Sequence, residues 1–129
     1  MSGKIVIFAQ VDNYIHMLVL DKEISRSELS KIAESLYGDM VKGVVDVERG
    51  ILAIDAELHS DLEGLLLSEG SSQESLWGIN LYPDADAEDL IEYDSLINIR
   101  PRQGNNSRDV ENPQTRKTIE AVVLRYIKE

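Results

Sequence analysis

Apolar side chains recur at helical spacing in three stretches of the chain. Ser25 and Glu28 form an S-x-x-E capping box ahead of Leu29, Ile32, Ala33, Leu36, Tyr37 and Met40, an i, i+3, i+4 stripe that predicts a helix over residues 26–40. Leu58, Leu62, Leu65 and Leu66 mark a second, shorter helix, which Gly70 stops in the position favoured by a left-handed C-cap. Asn112 and Pro113 supply the cap and first residue of a third, with Ile119, Val122, Val123, Tyr126 and Ile127 along one face.

Between these helices the pattern shortens to the period of strands. Val44 to Glu48 and Ile51 to Leu58 flank Arg49-Gly50, which reads as a two-residue hairpin loop. Trp77 to Tyr82 and Leu90 to Arg100 flank a longer acidic turn, Pro83 to Asp89. Ile15 to Leu20 is a further strand. Residues 4–10 either form a hairpin with it through Val11-Asp12-Asn13 or stand apart as an arm. The expected fold is α+β: a mostly antiparallel sheet of two hairpins plus an N-terminal strand, with three helices packed on one face. Residues 15–129 form the domain and residues 1–14 an N-terminal extension or extra strand.

Alternation sorts these side chains onto two faces. With Glu48 opposite Ile51 and Asp46 opposite Ala53, one face takes Val45, Val47, Leu52 and Ile54, and the other takes Asp46, Glu48, Asp55, Glu57 and His59. Parity in the second hairpin places Ile91, Tyr93, Ile97 and Ile99 on the apolar face, opposite Glu92, Asp94, Asn98 and Arg100, with Asn80 beside them. A one-residue slip would invert the assignment.

Charge gives that polar face its interest. Lys and Arg total 13 against 24 Asp and Glu, a net charge of -11. Residues 1–99 hold 20 acids and 6 cations, whereas residues 100–129 hold 4 acids and 7 cations. Between Arg49 and Arg100 lie twelve acids and no Lys or Arg. Such a field repels phosphate backbones and anionic lipid, arguing against general nucleic-acid or membrane-surface binding. With 129 residues the chain makes one ordinary domain. The absence of cysteine removes disulfides and thiolate chemistry and fits a cytoplasmic location. The longest apolar runs, Ile5 to Ala9 and Met17 to Leu20, fall far short of the roughly 20 residues of a membrane span, and the start does not read as a signal peptide.

Three candidate chemistries follow. Crowded carboxylates on the sheet face suggest a hard divalent cation, Ca2+ or Mg2+, at Asp46, Glu57 and Asp94; a solvated face of an antiparallel sheet is polar by default as well. Residues i and i+2 of a strand project together, so Glu57 beside His59 is a candidate acid–base pair for a hydrolytic step, although such a histidine also serves as an ordinary cap or surface group. Asn98 to Arg108 carries three arginines, three asparagines and a glutamine. Of these Asn98, Arg100, Gln103, Asn105 and Arg108 are candidates to hold a small anionic ligand, phosphate or carboxylate. The same donors equally suit a loop tied down on its own carbonyls. The alternative to ligand binding is a non-enzymatic interaction module or homodimer, assembled through Ile5 to Ala9 as an edge strand. The signatures G-x-S-x-G, H-E-x-x-H, G-x-G-x-x-G and the phosphate loop are absent.

Several strings are specific in combination: Gly38-Asp39-Met40-Val41-Lys42, Glu57-Leu58-His59, Leu76-Trp77-Gly78-Ile79-Asn80, Ile97-Asn98-Ile99-Arg100-Pro101 and Gln103-Gly104-Asn105. With them the chain resembles a family of short bacterial and archaeal proteins described as a domain of unknown function. The resemblance covers about residues 15–129 and implies no activity, cofactor or catalytic residue. The chain departs from the pattern at Asp55-Ala56, where the family has two glycines.

Overall fold

A computed structural model describes residues 4–10 and 13–129, with side chains from Met17 onward. Six strands form one antiparallel sheet: β1 (Lys4–Gln10), β2 (Asn13–Val19), β4 (Val41–Asp46), β5 (Ile51–Ile54), β6 (Leu76–Leu81) and β7 (Ile91–Glu92). Their order across the sheet is β1-β2-β5-β4-β6-β7. A second, two-residue parallel pairing joins β3 (Ile24–Ser25) to β8 (Ile127–Lys128) at the chain's end. The α+β class and the joining of both hairpins in one sheet agree with the sequence. Residues 4–10 are the partner of β2, the first of the two alternatives.

The helices are α1 (Arg26–Glu34), α2 (His59–Ser68) and α3 (Pro113–Tyr126). The Ser25/Glu28 capping box is formed, and Asn112 accepts from the N–H groups of Gln114 and Thr115. At the end of α2, Gly70 takes φ 103°. α1 ends six residues before Met40, because Gly38, at φ 94°, turns the chain back and donates its N–H to Ala33 O at 2.7 Å.

The expected packing of three helices on one face is not what forms. Leu18, Val45, Leu52, Ile54, Trp77 and Ile79 pack with residues of α1 and α3. Met17, Val44, Ala53 and Leu76 pack instead with Leu62, Leu65 and Leu66 of α2. The cause lies in β4 and β5, where Val44-Val45 and Leu52-Ala53-Ile54 are apolar at adjacent positions and therefore on both faces, so both need a cover. The supposed open polar face is in large part the floor under α2.

Register in the first hairpin also differs. Asp46 lies opposite Ile51, not Ala53, so the loop is the four residues Val47 to Gly50. Asp46 makes that loop: its Oδ1 accepts from the N–H groups of Glu48 and Arg49, each at 2.9 Å, while Gly50, at φ 67°, donates to Asp46 O at 2.9 Å. The slip is two residues, and a period-two pattern survives it, so the sorting of Val45, Leu52 and Ile54 from Asp46 is as expected.

β5 stops at Ile54 because Asp55 adopts φ 74°, a left-handed conformation that no strand continues through. Glycine is the natural occupant of such a position. The second arm of the other hairpin is likewise short. β7 ends at Glu92, and residues 93–108 form a strap of turns, including single 3-10 turns at Leu96–Asn98 and Pro101–Gln103.

Candidate functional site

The strap lies along the edge of β6 that β7 leaves bare, since β7 pairs only with Asn80 and Leu81. A free edge presents N–H and C=O groups that need partners, and the strap's side chains supply them. Gly78 N–H donates to Asn98 Oδ1 at 2.8 Å and Asn98 Nδ2 donates to Gly78 O at 3.0 Å, so one side-chain amide stands in for a neighbouring strand. The approach requires glycine: a Cβ on Gly78 would lie 2.6 Å from Ser95 Cβ. Asn105, also buried, donates to the carbonyls of Asn98, Ser107 and Asp109 and accepts from Glu111 N–H.

Arg100 crosses the same edge. Its Nη1 and Nη2 donate to the carbonyls of Gln73 and Leu76, and its guanidinium lies over the Trp77 ring, 4.2 Å from the centroid. Its Nε is buried with no partner. Among the described residues no carboxylate makes an ion pair with Arg100. Burial pushes its pKa below the usual guanidinium value, and the charge of Glu63 only partly opposes that. Beside it opens a cleft of about 620 Å³ lined by Ser72, Gln73, Glu74, Ile99, Arg100, Pro101, Arg102 and Gln103. Gln103 is held there by Glu74 O, at 3.0 Å from its Nε2.

A second polar group gathers on the α2 face of the sheet. Lys42, Asn80 and Glu92 are direct cross-strand neighbours on β4, β6 and β7. Asn80 donates to Glu92 Oε1 at 2.9 Å and to Asp94 O at 3.3 Å, and Tyr82 donates to Glu92 Oε1 at 3.0 Å. His59, the first residue of α2, covers this row with its Nε2 2.8 Å from Ile79 O. A carbonyl can only accept, so Nε2 carries the proton in this contact. Burial holds the His59 pKa below its ordinary value; Ile79 O opposes that shift, Lys42 adds to it, and Asn80 and Asp94 oppose it.

The predicted residues therefore fall into different places. Asn98, Arg100, Gln103 and Asn105 belong to one strap, and Arg108 joins them to Asp94 through an ion pair of 2.5 Å with both side chains about half exposed. Glu57 and His59 are not a strand pair: Glu57 is exposed, its carbonyl accepts from Tyr37 Oη, and His59 begins a helix. Asp46, Glu57 and Asp94 do not assemble as a ligand set. Asp46 is fully buried at the hairpin loop, where Ser71 donates to its Oδ2 at 2.6 Å. Among the described residues the acids whose ligand atoms lie within 4.8 Å of one another are Asp86, Glu88 and Asp89, all exposed. The cleft also holds Arg102, Ser72, Gln73 and Glu74, which the sequence pattern does not single out. Arg102 stands in the arginine-rich run; the others come from the turn just before β6, distant from the strap in sequence, and carry no local signal.

Among the described residues no helix is long and apolar enough to cross a membrane. A family model described as "protein of unknown function (DUF5674)" matches residues 18–126. No curated protein and no solved structure matches the chain.

Proposed function

The chain belongs to the DUF5674 family, whose description assigns no activity, and we propose that it is a small-anion-binding domain that takes a carboxylate or phosphate in the cleft beside Arg100. The observation that supports this is the state of Arg100: a half-buried guanidinium with neutral partners only, at the wall of an open cleft that a second arginine, Arg102, also lines. A partly desolvated charge with no carboxylate in contact is costly, and a bound anion offsets that cost. Asn98 and Asn105 serve this site by holding the strap, with their amides already engaged. Arg102 and Gln103 are the exposed groups placed to meet a ligand.

Trp77 is the chain's single tryptophan and stacks on Arg100, so its fluorescence reports on the cleft. Titration with inorganic phosphate, at ionic strength held constant with sodium chloride, should give a saturable change. Arg102→Gln should weaken it roughly 5- to 20-fold, the loss expected for one charge-assisted contact. A flat titration up to tens of millimolar, or equal affinity in the variant, counts against the site.

A second reading is favoured by one observation. β1 and β2 share seven residue pairs, but among the described residues β2 pairs with β5 only at Leu18 and Val19, so the hairpin runs on past the sheet with edges that no described strand pairs. Pairing with the hairpin of a second copy would satisfy them. Light scattering on the full chain and on a chain lacking residues 1–14 tests this: a monomer in both cases removes the reading.

A further inference from the structure

The wall of the Arg100 cleft is only partly polar. Ile99, 42 % exposed, lines it together with Pro101. Leu96, 67 % exposed, stands three residues earlier, and the bond from Ile99 N–H to Leu96 O closes the turn between them. Side chains three apart on a 3-10 turn fall on the same side, which extends the apolar surface of Ile99 towards Leu96. These two lie on a strap that carries Arg100, Arg102 and Arg108 and no acid between Asp94 and Asp109, in a chain of net charge -11. Arg108 is paired with Asp94, but Arg100 and Arg102 make no ion pair among the described residues, and an exposed apolar strip beside them fits neither a purely hydrated loop nor a purely ionic site. Solvated inorganic anions would use the arginines and leave the strip wet.

We propose that the ligand of this cleft is an anionic amphiphile, a small molecule with a carboxylate head against Arg100 and Arg102 and an unbranched aliphatic chain lying along Ile99 towards Leu96. This rests on the anion reading of the cleft and adds the nature of the group attached to the anion. Charge complementarity selects the head, and the strip of Pro101, Ile99 and Leu96 selects the tail. The volume of about 620 Å³ is in the range of small-molecule sites. Glu74 is the one acid in the lining and disfavours any anion there.

The test is a chain-length series on the full protein, acetate, butanoate, hexanoate and octanoate as monomers, followed by Trp77 fluorescence. Affinity should rise about two- to fourfold per methylene while the tail stays in contact, the increment expected for a partly to fully buried CH2. Octanoate should then bind at least ~50-fold more tightly than acetate. Ile99→Ser and Leu96→Ser, at exposed positions, should flatten the series by weakening octanoate far more than acetate, and Glu74→Gln should tighten every member about two- to fivefold. Octylamine should not compete.

Equal binding of acetate and octanoate overturns the amphiphile and leaves the anion site standing. Failure of phosphate, acetate and octanoate alike overturns both. A length dependence that survives the double serine variant, or octylamine competing as well as octanoate, shows apolar binding elsewhere and overturns the proposal. So does association with vesicles containing phosphatidylglycerol in the absence of binding to monomeric octanoate, which would assign the strip to a lipid surface.

Discussion

His59 shows how far a single residue's role depends on backbone the sequence does not display. Its neighbours in sequence suggested a strand and a carboxylate partner. The left-handed turn at Asp55 ends that strand, so His59 starts α2 and faces Ile79 O, with Lys42, Asn80 and Asp94 as its polar surroundings. Histidine in a buried, neutral state makes stability depend on pH in a definite direction. The folded-state pKa lies below the ordinary value near 6.5, so as pH falls through that value the unfolded chain takes up its proton first. The contribution of neutral His59 is complete above about pH 6.5 and declines as pH falls towards the folded pKa. Urea midpoints at pH 7.5 and 5.5 should therefore drop further for the native chain than for His59→Gln, with the carboxylates cancelling in the difference. Equal drops would mean that His59 does not titrate differently on unfolding. The residue-level legibility is plain in Asp55: the resemblance pointed to two glycines there, and φ 74° is the physical reason a glycine suits the position.

At the scale of elements, helices were the most readable because their signals are local. Ser25 with Glu28, Asn112 with Pro113, and Gly70 each act within a turn of their own position. The strap was unreadable for the converse reason. Residues 93–100 alternate well enough to pass for a strand, but Ser95 caps a turn through the N–H of Ile97, and Pro101 starts another. What replaces the strand is Asn98, whose amide is also 2.9 Å from Arg108 O. Asn98→Ala would leave the N–H and C=O of Gly78 and the Arg108 carbonyl without that partner in a buried place. A loss of about 3 kcal/mol is expected, at 1–3 kcal/mol for each buried group left unsatisfied with some relief from water at the edge. Chemical denaturation should read it as a lower midpoint at unchanged slope. A loss below about 1 kcal/mol would show that the strap is held mainly by Arg100 and Asn105. Composition collects Asn98, Arg100, Gln103, Asn105 and Arg108 into one segment, but that Asn98 and Asn105 turn inward while Gln103 stays at the cleft, beside Arg102, follows only from how the strap meets β6.

For the whole molecule, the uneven charge decides how the fold responds to salt. The cations of residues 100–129 do not neutralise the acids of the first 99 in bulk. Arg100 serves carbonyls, Arg116 pairs with Asp109 in its own segment and lies over Tyr93, and among the described residues Arg108 and Lys128 are the cations of this segment that form ion pairs with acids earlier in the chain, Asp94 and Glu23. Asp84, Asp86, Glu88 and Asp89 remain exposed on the turn that Arg26 holds through the carbonyls of Pro83 and Ala85. With a net charge of -11, self-repulsion outweighs surface pairs that are individually worth about 0–1 kcal/mol. Raising sodium chloride from 10 to 150 mM shortens the screening length from about 30 Å to about 8 Å. It should therefore stabilise the fold, by about 1 kcal/mol or ~3 °C in Tm for a domain of this size. A Tm that falls over the same range would mean that the ion pairs dominate. Above 150 mM the general effect should level off, which leaves specific binding visible. Phosphate exchanged for chloride at constant ionic strength should add stability as RT ln(1 + [L]/Kd) in the native chain and less in Arg102→Gln. A gain identical in both would place the phosphate outside the Arg100 cleft, whatever its affinity.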